Sequence, residues 1–183
     1  MINEYFQTGL DAIKHVDLSK VEKCVECIES ARLNGQQVFT FGNGGSASLA
    51  SHFVNDLVKG ANNPDREPFR AMCLNDNIPI VTAYANDYSY NDIYVKQLES
   101  LLFPGDLVIP ISTSGNSPNV VCAAKFAKAQ GAYVFSWTGM DGGFLTKVSH
   151  DWILVKSYET SNIEDVHTMI MHSIIESLKA KLK

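Results

Sequence analysis

Four hydroxyl side chains fall within six residues at Ser112, Thr113, Ser114 and Ser117, interrupted by Gly115 and Asn116. A short apolar run of strand length, Leu107, Val108, Ile109 and Ile111, precedes them. Pro118 follows, and it suits the first turn of a helix, where a missing N–H costs nothing. Ser117 is then the expected N-cap. A strand that feeds a Gly/Ser loop into a helix amino end offers backbone N–H groups and hydroxyls to an anion, usually a phosphate. An ordinary βα turn draws on the same residue types; so many hydroxyls beside one helix start favour the phosphate.

Gly42-Asn43-Gly44-Gly45-Ser46 repeats the design after a second apolar run, Val38 to Phe41. The glycine spacing does not fit G-x-G-x-x-G, so no nucleotide cofactor is expected. Two strand–loop–helix units of this kind make two halves of one pocket at the carboxyl ends of parallel strands. On the helix after the first loop, His52 and Asp56 stand at i and i+4 and share a face. That spacing serves a metal pair, a His–carboxylate hydrogen bond, or an acid/base group with its orienter; a solvent-facing polar pair is the plain alternative. Glu164 and His172 punctuate the last helical segment. Eight residues separate them, which leaves them roughly 80° from eclipsed at about 100° per residue, so they converge only loosely. Asp87 sits in the polar stretch Asn86 to Tyr90, where a carboxylate usually caps a turn.

These groups need a scaffold, and the periodicities supply one. Residues 2–15 read as a helix with Tyr5, Phe6, Leu10 and Ile13 on one face. A second helix, capped by Asp17 or Ser19, runs to about Asn34, with Gly35 as its stop. Strands are expected at 38–41, 69–74, 107–111, 133–137 and 152–155. Helices are expected at 47–59, 78–85, 92–102, 119–130, briefly at 144–148, and at 162–182. The alternation predicts an α/β fold: a three-layer, doubly wound parallel sheet of about five strands with extra N-terminal helices. No linker or low-complexity segment divides residues 1–183, so one domain is expected. The two N-terminal helices, residues 1–35, exceed what a minimal domain needs, and an apolar stripe there suits contact with a second subunit as well as the core.

A chain of 183 residues can bury a sound core, and its net charge of -5 leaves no basic footprint for nucleic acid. Cys24 and Cys27 form a C-x-x-C in a helical pattern with no second pair, so buried thiols are expected rather than a metal knuckle. With no long apolar span and no signal peptide, a cytoplasmic protein away from membranes is expected.

Gly42 to Ser46 followed by His52 and an acid four residues on, together with Ser112 to Ser117, resembles the sugar isomerase (SIS) domain family. Asn86-Asp87-Tyr88, Pro104-Gly105-Asp106 and Gly139 to Gly143 extend the resemblance along nearly the whole chain. Within that family the chain is similar to the phosphoheptose isomerases, which interconvert sedoheptulose 7-phosphate and D-glycero-D-manno-heptose 7-phosphate through an enediol. The resemblance implies a homotetramer with sites between subunits and a phosphosugar held by Ser112, Thr113, Ser114 and Ser117. Asn43, Gly44, Ser46 and Asp87 are implied as further substrate contacts. It implies Asp56 and His172 as the acid/base pair, and a zinc or other divalent ion on His52, Asp56, Glu164 and His172. Four positions depart from the family pattern: Asp56 for Glu, Gly60 for Arg, Ser161 for Asp and Glu164 for Gln. A carboxylate one methylene shorter displaces a catalytic group by about 1 Å, enough to cost roughly a hundredfold. Two carboxylates in one site favour a cation between them. The phosphate half of the pattern is intact, so a different phosphosugar, or a non-catalytic sugar-phosphate-binding or protein-interaction module, stands as the alternative.

Overall fold

The computed structural model describes residues 1–181. Two helices open the chain, α1 (Ile2–Lys14) and α2 (Leu18–Leu33). Asp17 caps α2 through the Ser19 N–H, and Gly35, at φ +65°, ends the turn behind it. Then come β1 (Gln37–Phe41), α3 (Gly45–Asn55), β2 (Arg70–Cys73), α4 (Ile78–Asp87), α5 (Ile93–Leu101) and β3 (Leu107–Ser112). The chain continues through α6 (Pro118–Ala129), β4 (Tyr133–Gly139), α7 (Gly143–Val148), β5 (Asp151–Val155) and α8 (Thr160–Lys181). The expected end of α8 at residue 182 lies outside the described residues.

All five strands are parallel, in the order β2-β1-β3-β4-β5. A parallel sheet needs helices over both faces, and its strands therefore read as continuous apolar runs. Val38, Ile109 and Trp137 face one core, beneath α2, α3 and α8. Phe39, Val108 and Val134 face the other, beneath α5, α6 and α7. The doubly wound, three-layer reading of the sequence is the architecture found.

Pro110 sits in the central strand and can give no N–H to the ladder. The β3–β4 register accordingly pairs Val108 with Val134 and resumes at Ile111 with Trp137. The direction of winding reverses between β1 and β3, which are hydrogen-bonded neighbours with Phe41 opposite Pro110. In open α/β sheets the crevice beyond the carboxyl ends of such a strand pair is where ligands bind. The two Gly/Ser loops are the segments that leave β1 and β3 at that point.

Candidate active site

The first loop leaves β1 through Gly42, whose backbone passes so near β3 that a Cβ there would lie 2.8 Å from the Ile111 carbonyl and 2.7 Å from Ser46 Cβ. Only glycine allows that approach. Asn75 grips Gly42 from the other side: its Oδ1 accepts the Gly42 N–H at 3.2 Å and its Nδ2 donates to the Gly42 carbonyl at 3.0 Å. The buried Tyr94 hydroxyl also donates to that carbonyl, and burial pushes its pKa well up, so it stays a protonated donor.

Asn43 is the knot between the two loops. It exchanges hydrogen bonds with Asn119 in the first turn of α6, Nδ2 to Oδ1 at 2.9 Å in each direction. Its Oδ1 also accepts from the Tyr90 hydroxyl at 3.1 Å and lies 3.2 Å from the Tyr94 oxygen. Asn119 is 1 % exposed, so both of its polar ends must be met inside the protein, and they are.

The second loop is folded by its own backbone and held by a third. Gly115 N–H donates to the Ser112 carbonyl at 3.0 Å, and the Ser112 and Ser117 hydroxyls lie 3.1 Å apart. Ser117 occupies the N-cap position of α6, as its place before Pro118 predicts, but its side chain meets Ser112 rather than an α6 N–H. The loop at 139–143 donates the Gly139 N–H to the Thr113 carbonyl at 3.0 Å, and Leu145 N–H reaches Gly115 O at 2.9 Å. Gly115, at φ +63°, packs directly on the Gly142 carbonyl. Thr113, Ser114 and Ser117 are half-buried.

The acid/base candidates lie along α3 and α8. His52 and Asp56 share a face as their spacing requires, with Nε2 and Oδ2 3.5 Å apart. His172 crosses from α8, its ring centroid 5.3 Å from that of His52 at 77°. Ligand atoms of His52, Asp56 and His172 all lie within 4.8 Å of one another. Two imidazoles and a carboxylate are a donor set of the kind that holds zinc in three-ligand catalytic sites. Asp56 begins a π-turn, Asp56–Gly60, closed by the Ala61 N–H on the Asp56 carbonyl at 2.7 Å. The sequence reads there as uninterrupted α-helix. Gly60 faces back toward Asp56, and a Cβ on it would start 3.8 Å from the Asp56 Oδ1, so glycine leaves the flank of the carboxylate open.

Glu164, the fourth expected ligand, is not in this cluster. Two turns of α8 separate it from His172, and its carboxyl group stands over Gly45 in the first turn of α3, where a Cβ would lie 2.8 Å from Oε2. Asp87 is the exposed last residue of α4 rather than part of a turn, and its Oδ1 accepts from Asn86 Nδ2 at 2.9 Å. Ser161 is exposed in the first turn of α8. Cys24 is fully buried and desolvation pushes its thiol well up, while Cys27 is half-buried, as expected of packed rather than reactive thiols.

Asn75, Tyr90, Tyr94 and Asn119 support the loops without having stood out in the sequence. Asn119 alone had a signal, an amide in the first turn of the helix that follows the hydroxyl loop.

The sequence model of the SIS domain family matches residues 3–139. A probable phosphoheptose isomerase from Thermoplasma acidophilum is 39% identical over 178 residues, covering 97% of each chain. A phosphoheptose isomerase from Aquifex aeolicus is 40% identical over 149 residues, covering 81% of this chain and 78% of its own. Among solved structures, a phosphoheptose isomerase from Francisella tularensis superimposes with a TM-score of 0.90 at 28% identity, over 98% of this chain and 96% of its own.

Proposed function

The chain belongs to the SIS domain family, and on that premise we propose that it is an aldose–ketose isomerase that interconverts sedoheptulose 7-phosphate and D-glycero-D-manno-heptose 7-phosphate. Relatives named phosphoheptose isomerase, similar over 81–98% of the chain, support the activity and the substrate. We assign residues 1–183 to one SIS domain acting in the cytoplasm. No helix among the described residues is long and apolar enough to cross a membrane.

The observation that carries the catalytic reading is the convergence of His52 from α3, Asp56 from the π-turn that follows it and His172 from α8. In this reading Ser112, Thr113, Ser114 and Ser117 receive the phosphate at the amino end of α6, and Asn43, Gly44, Ser46 and Asp87 border the sugar. Fixing the phosphate end positions the reacting end, so contacts far from the chemistry lower its barrier. Asp56 takes the proton from carbon, and His172 serves the neighbouring oxygen as the enediol forms and collapses. His52, Asp56 and His172 would hold a divalent ion, zinc by the nature of the donor set. Bound there, such an ion would supply Lewis-acid polarisation of a carbonyl.

The test is turnover of sedoheptulose 7-phosphate by the purified protein, with and without a chelator. Asp56→Asn should lower kcat by about 10²–10⁴-fold, the usual contribution of a positioned acid/base group, while calorimetry still detects substrate binding. Unchanged kcat in that variant removes Asp56 from its role. Failure of the wild type to convert any five- to seven-carbon ketose phosphate rejects the isomerase reading.

A further inference from the structure

We infer that Asn116 is a positioning residue for the phosphate: its side chain clasps the second loop to the loop at 139–143, and this leaves the Ser114 hydroxyl with its proton free to give. The inference rests on the reading above that seats a phosphate at Ser112 to Ser117.

Asn116 is exposed, so water alone could satisfy its amide. Both ends of the amide instead meet backbone, on two different segments. Nδ2 donates to the Ser114 carbonyl at 3.0 Å, and Oδ1 accepts the Phe144 N–H at 3.0 Å. Phe144 lies in the first turn of α7, where the N-cap Gly142 has no side chain to bond. Asn116 thus supplies from the second loop the oxygen that a capping side chain would bring. Gly143 makes the approach possible: a Cβ there would lie 2.7 Å from Asn116 Oδ1 and 2.6 Å from the Ser114 carbonyl oxygen.

Held in this way, Asn116 turns its own N–H onto Ser114 Oγ at 3.2 Å. A hydroxyl has one proton and two lone pairs. The backbone N–H occupies a lone pair and leaves the proton, and a phosphate oxygen is a strong acceptor for it. The Ser112 and Ser117 hydroxyls differ, because their 3.1 Å contact uses one of the two protons between them. Ser114 is therefore a committed donor in the loop, and the Asn116 clasp is what commits it. Without the side chain, the Ser114 carbonyl and the Phe144 N–H turn to water, the turn at 114–116 loosens, and the hydroxyl rotates freely. The loss falls on phosphate affinity and not on the chemistry at His52, Asp56 and His172.

The experiment measures binding of inorganic phosphate and of sedoheptulose 7-phosphate by calorimetry, with kcat and KM for the sugar phosphate. The proteins are wild type, Asn116→Ala, Asp141→Ala, Ser114→Ala and the double variant Ser114→Ala with Asn116→Ala. Asp141 Oδ1 accepts the Gly143 N–H at 3.1 Å, so its variant loosens the loop at 139–143 without touching Ser114. Asn116→Ala should weaken phosphate binding and raise KM by about tenfold, the worth of two hydrogen bonds of ordinary net strength, with kcat retained. Asp141→Ala should leave both near wild type. In the Ser114→Ala background, Asn116→Ala should add little, because it acts through that hydroxyl. Wild-type phosphate affinity in Asn116→Ala, an equal loss in Asp141→Ala, or losses that multiply in the double variant overturn the role of Asn116. Should Asn116→Ala fold poorly, Asn116→Asp keeps an acceptor for the Phe144 N–H and lacks the donor to Ser114; wild-type phosphate affinity there overturns the role equally. A wild type that binds phosphate without turnover rejects the isomerase reading alone, since the affinities still test Asn116. A wild type that binds neither ligand rejects both.

Discussion

His167 packs between Trp137 and the end of β4, with Nε2 3.2 Å from the Thr138 carbonyl and Nδ1 meeting no protein partner. Burial lowers its pKa from 6.5 to about 4, because a charged imidazole would be stranded in the core. The unfolded chain takes up this proton near pH 6.5 and the folded chain does not. Stability is therefore highest above pH 6.5 and falls as the pH drops toward 4, by roughly 3 kcal/mol in full from the size of the shift. Thermal melts from pH 7 to 4.5 should show this slope in the wild type, and His167→Gln should lack that part of it. An identical slope in both proteins would assign the acid sensitivity to other groups. None of this is visible in the sequence, where a helical histidine five residues before His172 looks as much like a site residue as like a core one.

At the scale of elements, the second loop is rigid because three backbone segments interlock. Gly115→Ala forces a left-handed residue to carry a side chain, which costs about 1–3 kcal/mol. It also drives a methyl into the Gly142 carbonyl. The expected outcome is a lower melting temperature and a KM for phosphosugar raised more than kcat is lowered; a wild-type KM would detach the loop from phosphate binding. The strands and glycine loops were legible because apolar runs bounded by Gly and Ser have few other readings. The π-turn at Asp56–Gly60 was not, since its residues suit an α-helix and only tertiary packing selects the wider turn. The place of Glu164 was equally hidden: angular spacing on α8 separates it from His172, but only the crossing of α8 with α3 sets it over Gly45.

For the molecule as a whole, α1 is the outlying element. Ala12 is its buried residue, while Ile2, Phe6 and Leu10 present an apolar row to solvent, with Phe6 66% exposed. Tyr5 and Thr8 tie the helix to α8 through Asp165 and Asn162, so the row is held in a fixed pose. We expect this face to meet another subunit and the protein to be a tetramer. Light scattering on the eluted protein should give about four times the chain mass, and Phe6→Glu with Leu10→Glu should reduce it and lower activity in parallel. A monomeric wild type with full turnover would remove the tetramer from the account. The sequence pointed to this helix through its stripe, though periodicity alone could not distinguish a core face from a subunit face.

The pairing of Phe41 with Pro110 has one more consequence. The loops that flank the crevice spring from adjacent strands, so their separation at the root is one strand repeat, about 4.8 Å. The pocket thus has a fixed gauge: it cannot be widened without unzipping the middle of the sheet. Adaptation to a longer or differently branched sugar must then come from the side chains that α3, the π-turn after it and α8 present beside the sheet, Asp56 and His172 among them.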